Sequence, residues 1–301
     1  MNEKSTSNRF LITLAWVIMI SVSLLPNVLL HELADGAPPW LGWAKIGLLG
    51  ALAAVTFFWD ALRPLRHFIL ILLAIFVSEE VVSRLTGTAL WQGWFGGSGA
   101  PFTLTMLGIQ LGRLIVSLLV IAALLFLGYR RRDFFLVPGQ LDAPITPVRW
   151  LGFPEPDPWT NFGGQWSLYI GLGTLLFLIL GARTSWNDFA QVAPMLPMIL
   201  LLATMNAFNE EMTYRASLLA GLEPTIGSRP ALWIAAIFFG IGHYFGVPYG
   251  IIGVVMSSFL GWMLGKAMVE TRGFFWAWFI HFVQDVLIFS FMAAGSITPG
   301  G

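Results

Sequence analysis

The sequence predicts an all-α, polytopic transmembrane helix bundle of about eight or nine spans. Three observations lead there. Only 11% of the 301 residues are charged, whereas a soluble domain carries about 25% and needs them to cover its surface. Hydrophobic residues make up 57% of the chain, including 25 Phe and 14 Trp. The apolar residues also gather into runs near the roughly 20 that a helix needs to cross a ~30 Å hydrocarbon core.

The elements follow in order. Residues 10–30 form the first predicted span. Its apolar run exceeds the roughly 7–15 residues of a signal-peptide core and no A-x-A site follows, so it reads as a retained anchor. Residues 41–59 form a second span, weakened by Lys45 near one end. Residues 68–90 form a third, with charges in its second half. A fourth covers 102–127. Residues 129–166 then collect Pro138, Pro144, Pro147, Pro154, Pro156 and Pro158, and read as a cytoplasmic linker lying along the surface. Five further spans are expected at 167–182, 189–222, 231–247, 249–269 and 274–294, of which 189–222 is too long for one simple crossing. This divides the chain into an N-terminal bundle (1–128), the linker (129–166) and a C-terminal core (167–294).

Loop charges set an orientation. If nine spans alternate, Lys4, Arg9, Arg63, Arg66, Arg130, Arg131, Arg132, Arg149, Arg229, Lys266 and Arg272 fall on one side, and only Lys45 and Arg183 on the other. By the positive-inside rule the N-terminus is cytoplasmic, as expected of an integral protein of the cell membrane. The bilayer is thus one expected partner. The zero net charge offers no field for nucleic acid. The absence of Cys removes disulfides, thiol nucleophiles and thiolate metal sites. Nothing in the sequence marks an oligomeric state.

Ionisable residues within a span are costly and point to function. One cluster is Glu79, Glu80 and Arg84 in the third span, with Arg113 in the fourth as a candidate partner. The other is Glu210, Glu211, Arg215, His243, His281 and Asp285. Counted from the short cytoplasmic loops at ~1.5 Å per residue, Glu211, His243 and Asp285 reach depths of about 17–18 Å and His281 about 12 Å. Three helices therefore bring these groups to nearly one level. Residues four apart share a helix face, which pairs His281 with Asp285 and Glu211 with Arg215. Glu210 is then left to face the histidines.

These residues form three motifs: Glu210-Glu211-Met212-Thr213-Tyr214-Arg215 (E-E-x-x-x-R), Phe239-Gly240-Ile241-Gly242-His243 (F-x-x-x-H) and His281-Phe282-Val283-Gln284-Asp285 (H-x-x-x-N/D). In this they resemble the CPBP intramembrane proteases, which include the type II CAAX prenyl endopeptidases, over roughly residues 165–294. The resemblance implies a CPBP-like core and an endopeptidase acting on a membrane protein or lipidated peptide. It implies that Glu210, helped by His243, activates water, and that His281 and Asp285 hold the oxyanion, with Glu211, Arg215 and Phe239 supporting the site. An ionised Asp285 cannot donate a hydrogen bond, so it is either protonated or orients His281. No cofactor is favoured, and a Zn²⁺ ion on Glu210, His243, His281 and Asp285 is the alternative.

Glu79-Glu80-Val81-Val82-Ser83-Arg84 also fits E-E-x-x-x-R, but no F-x-x-x-H follows it at short range. It reads as a buried Glu–Arg pair joining spans three and four, although Glu79 lies deep enough to line the same cavity. Gly240 and Gly242 offer room for a substrate backbone or, more commonly, close helix packing. Trp91, Trp94, Trp276 and Trp278 read as interfacial belt residues. Two other functions fit a buried acid–histidine cluster: a non-proteolytic scaffold or immunity protein, and a proton-coupled transporter. The transporter predicts paired repeats with broken helices, and the sequence has none.

Overall fold

The computed structural model describes residues 3–34, 36–97, 99–181 and 186–297. Among these the fold is all-helical, with only two isolated β-bridges, Pro144 to Pro158 and Val148 to Phe153. The chain opens with α1 (Glu3–Val22) and α2 (Leu25–Leu33), bent by 49°. The break falls beside Pro26 in the first turn of α2, where a missing N–H costs nothing. The sequence had suggested one unbroken span here.

Next come α3 (Leu41–Val55), α4 (Arg66–Thr86), the short α5 (Ala89–Phe95) and α6 (Phe102–Phe126). Then follow α7 (Trp159–Gly181) and α8 (Trp186–Val192), a 3₁₀ turn at Ala193–Met195, α9 (Leu196–Glu211), a π-turn at Met212–Ala216 and α10 (Ser217–Ile226). The chain ends in α11 (Ser228–Gly242), α12 (Ile251–Thr271) and α13 (Phe275–Ile297).

Five helices are long and apolar enough to cross a bilayer: α6, α7, the run Ala190–Ile226, α12 and α13. The bent α1–α2 pair makes a sixth if taken as one span. The larger number expected from the sequence meets two obstacles. With 15 residues each, α3 and α11 reach only about 22 Å at ~1.5 Å per residue, short of the ~30 Å core. α4 has the length, but Arg66, Glu79, Glu80 and Arg84 lower its hydropathy. The overlong predicted span at 189–222 is one continuous helix, its length spanning a 3₁₀ turn and a π-turn.

The proline-rich segment lies largely exposed along the surface but is pinned to the helices by a few buried residues. Residues 159–166 already belong to α7. The end of the predicted span at Ala182, and Arg183, lie outside the described residues. Phe134, Phe135, Ile145 and Val148 are buried, and the backbone docks on the α12–α13 turn through Gln140 N to Thr271 O (2.7 Å) and Phe274 N to Val137 O (2.8 Å). Gly139 has φ 83° and its backbone meets that of Gly273, where a Cβ on Gly273 would lie 2.2 Å from the Gly139 Cα. Glu270 ties the strap down, accepting from Thr146 N and the Trp159 indole, both at 3.0 Å. Lys266, counted above as a loop charge, is buried in α12 and pairs with Glu270. Trp276 is likewise a core residue instead of a belt residue. It packs on Gly163, and its indole donates to Leu141 O at 2.9 Å.

The pairing of α11 with α12 holds one wall of the site. A Cβ on Gly240 would fall 1.9 Å from Ser258 Oγ and 2.7 Å from the Val254 carbonyl, and one on Gly261 3.2 Å from the Ala236 Cα. Gly240 thus serves close packing, as small residues between membrane helices commonly do. Gly242 has open space around it and lines a cavity. Gly240→Ala is therefore expected to destabilise the fold by about 1–3 kcal/mol through overpacking, and Gly242→Ala much less. Thermal unfolding of the two variants in detergent checks this, and equal midpoints would contradict it.

Candidate active site

The site is built on the adjacent acids at the end of α9. Glu210 is 8% exposed and Glu211 fully buried, yet they serve different partners. The Glu211 carboxylate pairs with Arg215 one turn later, the pair expected from the sequence. It also accepts from His281 Nδ1 of α13 at 2.8 Å. Glu210 turns the other way. Its Oε1 accepts from Arg113 Nη1 of α6 at 2.7 Å. Its Oε2 lies 3.9 Å from His243 Nε2 and 3.6 Å from His281 Nε2. The structure thus brings Glu210, His243, His281 and Asp285 together from three helices, and all four line one cavity of about 460 Å³.

Local chemistry fixes the ring orientations. His243 ends α11, and its Nδ1 lies 2.9 Å from the Phe239 carbonyl. A carbonyl only accepts, so Nδ1 carries a proton, and Nε2, the acceptor nitrogen of a neutral imidazole with that tautomer, faces Glu210. The same reasoning gives His281 a proton on Nδ1, donated to Glu211. Its Nε2 faces Glu210 Oε2 and, at 3.7 Å, Asp285 Oδ2. These distances exceed direct hydrogen bonds and suit contacts bridged by a small molecule. Phe239, the first residue of its motif, is the apolar floor. Its ring lies 4.4 Å under the Arg215 guanidinium, packs on His243 at 4.3 Å and meets His281 edge-on at 6.1 Å.

Several participants escaped the sequence reading. Arg113, set there beside the Glu79 cluster, belongs to Glu210 and donates to Asn206 Oδ1 at 2.5 Å. Asn206 in turn donates to Asp285 Oδ2 at 3.0 Å. Gln110 donates to Asn206 (2.9 Å), and Asn209 donates to the Gln110 carbonyl (3.1 Å). Ser117 and Thr213 share a hydrogen bond of 3.0 Å. Gln110, Arg113 and Ser117 recur at helical spacing, which is a polar stripe on the apolar α6. Asn206, Asn209, Glu210 and Thr213 repeat it on α9. That matching periodicity was the available signal.

The second E-E-x-x-x-R is not a buried interhelix pair. Arg84 meets Glu80 of its own helix at 2.9 Å, with most of its side chain exposed. Glu79 does face the same interior. It accepts from the Tyr214 hydroxyl at 2.6 Å and lines two cavities together with Arg113 and Glu210. As for a metal, no group of three His, Asp or Glu side chains among the described residues is arranged to hold one. Glu210 Oε1 is already neutralised by Arg113, and Asp285 Oδ2 is taken by Asn206.

A membrane-embedded helical bundle enclosing an acid–histidine cluster is the class that these features define. Residues 191–287 match the family described as type II CAAX prenyl endopeptidase Rce1-like. All three motifs fall inside that segment, so the likeness to this protease family rests on the C-terminal third of the chain and on the residues of the site. No curated protein and no solved structure matches the chain.

The two look-alike motifs predict different costs. Arg215→Met strands a fully buried carboxylate and is expected to cost about 3–5 kcal/mol. Arg84→Met breaks an exposed pair and is expected to cost at most about 1 kcal/mol. Unfolding in detergent measures both, and similar losses would contradict the assignment.

Proposed function

We propose that the protein is an intramembrane endopeptidase that hydrolyses a peptide bond of a membrane-associated or lipidated substrate. The observation that carries this reading is Glu210 Oε2, which has no hydrogen-bond partner among the described residues and is faced by the Nε2 atoms of His243 and His281. A water molecule there donates one proton to Glu210 and the other to the His243 lone pair. Its oxygen attacks the substrate carbonyl carbon as Glu210 takes up the first proton. The charge passes to the carbonyl oxygen, and His281, carrying protons on both nitrogens, donates from Nε2 to that oxyanion. Collapse breaks the C–N bond, and the proton on Glu210 leaves with the amine.

The neighbours have defined parts in this scheme. Glu211 holds the Nδ1 proton of His281 and so fixes its ring. Asp285, itself held by Asn206, orients and balances the imidazolium instead of donating to the oxyanion. Arg113 neutralises the buried Glu210 charge and holds the carboxylate still, which is the task a second cation would otherwise perform. This supports a metal-independent mechanism over zinc.

The cavity that contains His281 and Asp285 supports a substrate with a hydrocarbon portion. Its walls include Phe177, Leu178, Leu260, Ile288, Phe289 and Met292. We also read the protein as an integral protein of the cell membrane, on its five long apolar helices. A non-proteolytic scaffold would have no need for a carboxylate oxygen kept clear between two imidazoles.

Glu210→Gln is expected to lower cleavage of a lipidated reporter peptide by at least about 10²–10⁴-fold, the usual worth of a general base. His281→Ala should give a comparable loss. Full turnover by either variant would overturn the site. Wild-type turnover unaffected by 1,10-phenanthroline is the expected result of metal-free chemistry, and inhibition reversed by added Zn²⁺ would replace it with the zinc mechanism.

A further inference from the structure

Two cavities lie away from the acid–histidine cluster, and the strap runs between them. Three helices long and apolar enough to cross a bilayer have an end here: α6 stops at Phe126, α12 stops at Thr271 and α13 starts at Phe275. A turn this short between two crossing helices sits at the bilayer surface. The backbone bond from Phe274 N to Val137 O marks the boundary between the cavities, since Val137 lines one and Phe274 the other.

The first cavity, of about 560 Å³, lies between strap residues 137–140 and the α12–α13 turn, and both Arg132 and Arg272 line it. Arg272 holds the left-handed C-cap of α12 (φ 52°), a place usually left to Gly or Asn, and Glu223 meets one of its donors at 2.7 Å. Arg132 is exposed, and among the described residues no carboxylate lies within 4.0 Å of it. The second cavity, of about 380 Å³, is walled by Leu114 of α6, Leu136 of the strap, Met205 and Phe208 of α9, and Phe274 and Trp278 at the start of α13. The Trp278 indole already donates to the Thr204 carbonyl at 3.2 Å, which leaves it no proton for a polar ligand. A cationic cradle thus opens beside an apolar groove, with the consecutive residues Val137 and Leu136 lining one and the other.

We propose that the two cavities together bind one anionic phospholipid of the bilayer, its phosphate at Arg132 and Arg272 and an acyl chain along the groove between α6, α9 and α13. Phosphate oxygens give guanidinium groups charge-assisted hydrogen bonds. Hydrocarbon fills an apolar wall without leaving a polar group unmatched. No residue of either cavity lines the one that contains His281 and Asp285, so the lipid is a bound component and not the substrate, and its site stands apart from the endopeptidase reading. The lipid joins the strap to the two helices that carry the site. Phe208 and Trp278 stand within one turn of Glu210 and His281, respectively.

The test is quenching of tryptophan fluorescence in the detergent-solubilised full-length protein by phosphatidylglycerol with brominated chains, with brominated phosphatidylcholine as the neutral comparison. Phosphatidylglycerol is expected to quench saturably, with an affinity about tenfold above that of phosphatidylcholine, from two arginines beside one phosphate. Trp278→Phe should lose most of the saturable quenching, because bromine quenches the indole it touches. Arg132 is exposed, so Arg132→Gln leaves the fold intact, and it is expected to weaken phosphatidylglycerol by about fivefold without affecting phosphatidylcholine. Arg131→Gln removes an equally exposed charge that does not line the cavity, and should change little. Glycerol phosphate should not displace the lipid, which separates a headgroup held by its chain from free phosphate. Equal affinities for the two lipids, or equal losses in Arg132→Gln and Arg131→Gln, would overturn the site in favour of general surface charge. Displacement by glycerol phosphate or by a lipidated peptide would also overturn it, assigning the cavities to free phosphate or to substrate.

Discussion

Two adjacent carboxylates buried in an apolar bundle are the constraint on which the rest of this structure depends. Neither can be left alone in a low-dielectric interior, and neighbours on one helix point in directions about 100° apart. One set of partners therefore cannot serve both. Glu211 draws on Arg215 of its own helix and His281 of α13. Glu210 draws on Arg113 of α6 and turns toward His243 of α11. Satisfying the pair thus fixes where three other helices stand. His281 belongs to both sets, so the structural ion pair and the exposed face of the site are mechanically joined through one imidazole.

The surrounding packing keeps that convergence in place. Glycines let α11 and α12 interlock, which holds the end of α11 and hence His243. The strap at residues 127–158 is clamped by Glu270 to the α12–α13 turn, which anchors the start of the helix that carries His281 and Asp285. A π-turn begins directly after Glu211. Such turns recur at functional sites, and this one lies within the first motif, where the chain passes between the carboxylates and Arg215. The apolar floor under Arg215 and both histidines is a single residue, Phe239, which explains physically why an aromatic ring opens the second motif.

The legible part of the fold was the part written in periodicity. That the first, second and third motifs meet was readable because each helix rises by a fixed increment from a short loop. Glu211 with Arg215 was readable because residues four apart share a face. Arg113 was visible as an intramembrane charge, but its partner was not, since Glu79 and Glu210 lie at similar depths and spacing along one chain does not say which helices are neighbours. Lys266 looked like a loop charge because Glu270, one turn later, hid its burial. The strap looked like a linker because prolines signal irregular backbone without saying whether it packs.

By itself, the sequence determined the solvent, the helical class and the set of side chains able to do acid–base chemistry. Composition, run length and motif spacing are properties of one chain segment at a time. Only the tertiary structure decided how many helices are long and apolar enough to span, that Arg113 and Asn206 complete the site, that Glu79 shares its interior while Arg84 does not, and that Lys45 faces it from a helix 165 positions before Glu210. Those outcomes depend on which apolar faces meet. In a chain where almost every face is apolar, hydropathy cannot choose among them. The choice falls to the few polar groups that must find one another.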